Sequence, residues 1–222
     1  MASRTIENYL KQLYLEQQHV AEESVAMGRL ATLMGVVPGT ATSMVKALAD
    51  SALVNYEPRT GVKLTAAGEQ LALHVIRRHR LVELFLVQIV GLDWSEVHQE
   101  AEELEHVISE KLLERIDLLL GHPKVDPHGD PIPSAQGQVE ELPPNTLVTC
   151  QEGEPLQVTR VLDQDAAFLQ WVNQSGLTPG SRVQVVSRNP QADSVCVQSQ
   201  DRPALTLSTS AAAKFLVKPR VA

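Results

Sequence analysis

The sequence predicts a mainly α chain with a small β domain at its C-terminal end. Three observations carry this. Helical periodicity recurs through residues 5–120, a proline-rich stretch follows, and short alternating segments occupy the remainder. At 222 residues the length suits one large or two small domains, and 43% hydrophobic residues suffice for a buried core.

The first helix is predicted over residues 5–18, where Ile6, Leu10, Leu13, Tyr14 and Gln17 follow helical spacing. A short helix at Met27–Met34 breaks at Gly35, and Pro38-Gly39 opens another that runs through Met44, Val45 and Leu48. Two short helices about a tight glycine turn form a helix-turn-helix. Thr40, Thr42 and Ser43 near the start of the second helix are small enough to approach the major groove, with Pro38 and Gly39 permitting close contact. Leu53–Glu57 and Val62–Thr65 read as strands joined by Pro58-Arg59-Thr60-Gly61. Such a hairpin completes a winged helix, with Arg59 and Lys63 placed to touch phosphates; a plain helical bundle with an appended hairpin is the competing architecture.

Thr65 is positioned to cap a helix running to about Val90. A further helix is expected from near Trp94, capped by Ser95, to about Leu120, with the stripe Val97, Ala101, Leu104, Ile108 and Leu112. Beside that stripe His98, Glu102, Glu105 and His106 share a face, while His79 and Glu83 are four apart on the preceding helix. Imidazoles and carboxylates at these spacings are how helical bundles build metal sites. Nitrogen and oxygen donors without thiolate favour a divalent ion such as Mn²⁺ or Fe²⁺. A solvated face has the same spacing, and the sequence alone leaves both readings open.

Charge is unevenly placed. Residues 1–92 hold 9 basic and 8 acidic residues, 93–140 hold 3 and 12, and 141–222 hold 7 and 7, so the net charge of −8 lies in the centre. A pI of about 5.4 argues at first against nucleic acid, but the proposed reading head is near neutral and the acidity falls where the candidate ligands are. Two cysteines, Cys150 and Cys196, match no zinc, redox or disulfide framework. With no signal-peptide pattern and no 18-residue apolar run, a cytoplasmic protein without a membrane partner is expected. Residues 121–145 carry six of the 13 prolines, so a domain boundary is placed near 135–143.

The segments TIENYLKQLY, RLATLMGVVPGTATSMVKAL, GVKLTAAGEQLA, RRHRLVELFL, VGLDWSEVHQEAEELEHVIS and DPHGDPIPS resemble the metal-dependent transcriptional repressors that include the diphtheria toxin repressor and the manganese transport regulator. The resemblance covers residues 5–134. Residues 142–219 are similar to the small SH3-like β-barrel of the longer members, with LQVTRV, FLQWVNQSGLTPGSRVQVV and VCVQ as its strands, helix and turn. The implied domains are a winged-helix DNA-binding domain (1–65), a helical metal-binding and dimerisation domain (66–134), a linker (135–143) and the SH3-like (FeoA-like) domain (144–222).

The resemblance implies a non-enzymatic repressor that binds a palindromic operator as a homodimer when loaded with metal, and no organic cofactor. By position, Glu102, Glu105 and His106 fall on primary-site ligands, and His79, Glu83 and His98 on the ancillary site of the iron branch. Asn8 falls where the manganese branch has Asp and the iron branch Met. Glu102 stands where the iron branch has Cys, which tilts the expectation to Mn²⁺, with Fe²⁺ the alternative. Lys11 stands where the manganese branch supplies a further Glu, and an ammonium cannot ligate, so a paired-metal site is not expected as such. Asp163, Gln164 and Asp165 lie in the region where the barrel of the iron branch contributes ligands. The apolar stripe Val97–Leu112 becomes the expected dimer seam. The competing classes are a metallohydrolase, for which no His-Glu-x-x-His motif or nucleophile elbow is found, and a metal-independent winged-helix regulator.

Overall fold

The structure, a computed structural model, describes residues 3–18, 24–140, 145–199 and 202–220. These form two compact units. The first comprises the described residues of Met1–His79 with Glu105–Val107 and Pro133–Gln138; the second comprises Arg80–Leu104, Ile108–Ile132 and the described residues from Val139 onward. Among the described residues no helix is long and apolar enough to cross a membrane.

In the first unit α1 (Arg4–Gln17) starts at Ser3, whose hydroxyl accepts from Ile6 N at 3.4 Å. α2 (Met27–Leu33) and α3 (Pro38–Asp50) flank the turn at Gly35; Pro38 opens α3, where its missing N–H costs no helical bond. The wing is β1 (Val54–Glu57) paired antiparallel with β2 (Gly61–Leu64). Tyr9, Leu10 and Leu13 of α1 pack with Leu30, Ala41, Val45, Leu48, Val54 and Val62, so the first helix, the helix-turn-helix and the wing share one core. The wing is held by paired bonds between Val25 and Val62, of 2.8 and 2.9 Å. Gly61 is required there: its φ is +136°, and a Cβ would come within 2.6 Å of Val25 O.

α4 (Ala66–Phe85) is capped by the Thr65 hydroxyl, which accepts from Gly68 N at 3.1 Å. A π-helical turn, Leu86–Val90, continues it to Gly91. The single helix expected from Trp94 to Leu120 is two: α5 (Val97–Leu104) and α6 (Glu110–Leu119). Ser109 restarts the helix by accepting from Leu112 N at 3.3 Å, and Glu105 and His106 lie in the intervening turn. Ser95 does not cap α5; its N–H and hydroxyl both donate to Asp93. The stripe splits accordingly. Val97 and Ala101 are buried with Val82 and Leu86, whereas Leu104 and Leu112 are exposed.

The β domain is a five-stranded antiparallel sheet in the order β6-β5-β4-β3-β7. Its elements are β3 (Leu156–Val161), α7 (Ala166–Ser175), β4 (Arg182–Asn189), β5 (Ser194–Ser199), β6 (Leu205–Ser208), α8 (Thr209–Ala212) and β7 (Phe215–Pro219). Register shifts at Val158/Arg160 and Val185/Ser187 bend it, and Phe168, Trp171 and Phe215 pack together on its core. Among its described residues the proline-rich stretch has no helix or named strand, but residues 126–131 form a tight turn rather than a bare connection. Asp126 N donates to Asp130 O at 3.0 Å, and Val161 N of β3 donates to His128 O at 2.9 Å. Gly129 presses against Thr159 O with φ +87°, a place no Cβ fits. Residues 141–144 of the expected linker lie outside the described residues.

Candidate metal centres and nucleic-acid face

In the first unit α1, the His79 end of α4 and the turn at Glu105–His106 bring six ionisable side chains together. Glu105 is fully buried. Its Oε2 lies 2.6 Å from His79 Nδ1 and 2.8 Å from Lys11 Nζ, and Lys11 Nζ is 3.1 Å from His79 Nδ1. Burial pushes the Glu105 carboxyl up, but the His79 hydrogen bond and the Lys11 charge outweigh it and hold the group below the ordinary glutamate value. On the other side Glu105 Oε1 is 3.3 Å from His106 Nε2. His106 Nδ1 bonds Glu7 Oε2 at 2.6 Å, and Glu7 also pairs with Arg78 at 3.4 Å. A neutral imidazole that donates through Nδ1 to a carboxylate keeps Nε2 as a lone pair for a cation.

Asn8 Oδ1, Glu105 Oε1 and His106 Nε2 are buried atoms without a hydrogen-bond partner among the described residues. Buried polar atoms are rarely left so. Oxygen and imidazole donors of this kind suit a hard divalent cation, so the residues present fit the expected ion. Glu7 was not singled out in the sequence; its only signal is a carboxylate one turn before Lys11 on a largely buried helix face.

The second unit holds another cluster. His98 Nδ1 lies 3.2 Å from Glu83 Oε1, and His98 Nε2 lies 3.7 Å from Glu102 Oε1, so Glu83 and Glu102 flank one imidazole. Behind them Glu83, Asp126 and His128 are all buried and each offers a ligand atom, all within 4.8 Å of one another. His128 Nε2 donates to Trp94 O at 2.9 Å, which leaves Nδ1, without a hydrogen bond, 3.7 Å from Glu83 Oε2. Asp126 Oδ1 accepts from His128 N and Asp130 N at 2.8 and 2.9 Å, fixing the turn. Burial, with the charges of Asp130 and Glu83, pushes the Asp126 carboxyl up to about 8. Burial pushes His128 down, but Glu83 and Asp126 more than reverse this and leave it above its ordinary value. Sequence reasoning missed Asp126 and His128 because their prolines marked the segment as a connection.

The barrel residues take other partners. Asp163 pairs with Lys214 at 2.6 Å, Gln164 Nε2 donates to Asp130 at 2.6 Å, and Asp165 caps α7 by accepting from Phe168 N at 3.0 Å. Cys150 is buried in the core of the β domain beside Arg188, and Cys196 lies on β5.

On the reading head Pro38, Gly39, Thr40 and Ser43 are exposed and Thr42 is half-buried. The Thr42 and Ser43 hydroxyls donate back to Pro38 O and Gly39 O at 2.8 and 3.0 Å, so each must rotate away to donate to a base or phosphate. Lys63 is half-buried on β2 opposite Asn55. Arg59 sits exposed at the tip of the wing with φ +75°, where the turn closed by Thr60 N and Glu57 O (3.2 Å) ordinarily selects glycine.

Residues 1–62 match the family model described as iron dependent repressor, N-terminal DNA binding domain. Residues 65–134 match iron dependent repressor, metal binding and dimerisation domain, and residues 145–219 match FeoA domain. The iron-dependent repressor IdeR of Mycobacterium leprae (strain TN) is 31% identical over 194 residues, covering 82% of this chain and 83% of that protein. A solved manganese-dependent transcriptional repressor in complex with manganese superposes with a TM-score of 0.86 at 37% identity, over 97% of this chain and 100% of the other. ScaR with bound Cd²⁺ superposes at 0.80 and 31% identity, over 97% and 99%.

Proposed function

This chain belongs to the iron-dependent repressor family and is a metal-dependent DNA-binding transcriptional repressor, and we propose that Mn²⁺ is its effector, held in the first unit by Asn8, Glu105 and His106. The observation that carries the site is the set of three buried donor atoms without hydrogen-bond partners. When bound, the ion supplies two positive charges to a site whose donors are oxygen and imidazole nitrogen. Fe²⁺ suits the same donors, and the relatives include both an iron-dependent and a manganese-dependent repressor. The Glu83, Asp126 and His128 cluster is a second cation site, with His98 and Glu102 beside Glu83.

The chain's own residues convert occupancy into DNA affinity. Asn8 lies on α1, and α1 shares its core with α3 and the wing. Holding Asn8 against Glu105 and His106 narrows the positions open to the reading head, and a dimer binds only when two heads match the spacing of its half-sites. Leu112, Leu118 and Leu119 of α6 are 51–61% exposed and form the apolar face that a homodimer covers. The partner is double-stranded operator DNA.

The test is operator binding on the promoter of the protein's own operon neighbours, titrated anaerobically with Mn²⁺ and Fe²⁺ side by side and with chelator. The expected order is Mn²⁺ first, Fe²⁺ close behind, and chelator weakest. Equal affinity with chelator and metal sinks the proposal.

Arg59→Ala is expected to weaken all DNA sequences alike. The slope of log affinity against log salt should flatten by about 0.9 for the lost phosphate contact. A loss confined to the operator, measured by anisotropy over a salt series, would instead make Arg59 a base reader.

A further inference from the structure

The two oxygens of Glu105 face different company. Oε2 is engaged by Lys11 Nζ and His79 Nδ1, while Oε1 faces His106 Nε2, and both of those atoms lack a hydrogen bond. Lys11 is 4% exposed, on a helix whose other buried residues include Tyr9, Leu10 and Leu13. A lysine buried this deeply is seldom found without a charge partner, and here the partner is a carboxylate that is itself fully buried. Glu7 and Glu105 are matched by Arg78 and Lys11, so these four side chains balance before any ion arrives.

We propose that the Lys11 ammonium is a resident cation of the first-unit site. It occupies the Oε2 side of Glu105, docks α1 on that carboxylate in the metal-free protein, and leaves the Oε1 side for a single divalent ion. His79 then donates through Nδ1 to the same Oε2, beside Lys11, rather than ligating that ion. The inference rests on the metal site proposed above. It adds that the site takes one ion where an acidic residue at position 11 would let it take two, and that the docking of α1 is partly built into the chain.

Two measurements on the full-length protein test this. Mn²⁺ is titrated into wild type and Lys11→Glu, with bound ions counted by calorimetry and electron paramagnetic resonance. Lys11→Glu should bind one more Mn²⁺ per subunit and show an exchange-coupled pair signal that wild type lacks. A coupled pair in wild type, or no gain in a folded Lys11→Glu, overturns the proposal. The second measurement uses no metal: hydrogen exchange of the α1 amides in wild type and Lys11→Met with chelator present. Removing the ammonium should speed exchange through residues 9–13 at least tenfold while α3 is unchanged; unchanged α1 exchange overturns the docking role. His106→Ala separates the two ideas. If it leaves the Mn²⁺ count of wild type intact, the metal site itself is wrong, whereas the metal-free exchange result still decides the role of Lys11.

Discussion

His106→Ala is expected to reduce operator binding in Mn²⁺ to its metal-free level, a loss of about 5–150-fold if the switch has the coupling usual for two-site proteins. The imidazole is held in one orientation by the 2.6 Å bond to Glu7, so Nε2 faces Glu105 Oε1 without a hydrogen-bond partner. Removing it takes away a donor and also the group that links Glu7 of α1 to the turn. Glu7 retains Arg78, and the core around Tyr9, Leu10 and Leu13 does not include His106, so the metal-free fold should survive. Anisotropy with a labelled operator, in Mn²⁺ and in chelator, reads the effect. A mutant that still responds to Mn²⁺ like the wild type contradicts the site. Glu7→Gln should show the same defect more mildly, as groups that orient a metal-binding histidine typically contribute about 10–100-fold in metal affinity.

Much of this was legible before the structure. The winged helix follows from Gly35, Pro38, the hairpin signals and the spacing of Leu10 and Leu13, because each feature is local and each agrees with its neighbours. The helix break at Glu105–Ser109 was not read, since Val97, Ala101, Leu104, Ile108 and Leu112 keep helical spacing straight through it. The signal present was Ser109 followed by Glu110, a cap and a first-turn acid. Grouping Glu105 and His106 on one helical face is therefore not upheld; they meet α1 from a turn. The ammonium of Lys11 cannot ligate, but its carboxylate partner is 94 residues away and no spacing reveals it. Asp126 and His128 were hidden by Pro127 and Pro131, which signal a loop without saying whether that loop is packed.

That packed loop gives the second large effect: Mn²⁺ affinity at the second cluster should climb steeply with pH and level off above about 8. Asp126 holds its proton up to about 8, because burial and the neighbouring Asp130 and Glu83 disfavour its charge. A cation there must displace that proton, so below this value affinity rises about tenfold per pH unit for each proton released. His128, also raised, adds a second proton wherever its imidazolium persists. The same shifts fix the sign for folding. Both groups bind protons more tightly in the native state, so the metal-free protein is stabilised below the unfolded values and loses that stability as pH rises through the folded ones. The window runs from about 4 to 8 for Asp126 and opens near 6.5 for His128. Glu105 acts oppositely, but only in acid, as pH falls through a value below the usual glutamate range. Melting in chelator should therefore soften between pH 6 and 8, and Mn²⁺ should restore it most at the upper end. Asp126→Asn keeps an oxygen for His128 N and Asp130 N while removing the proton, so it should flatten both dependences with the turn intact. A variant whose Mn²⁺ affinity still climbs like the wild type's would place the displaced proton elsewhere.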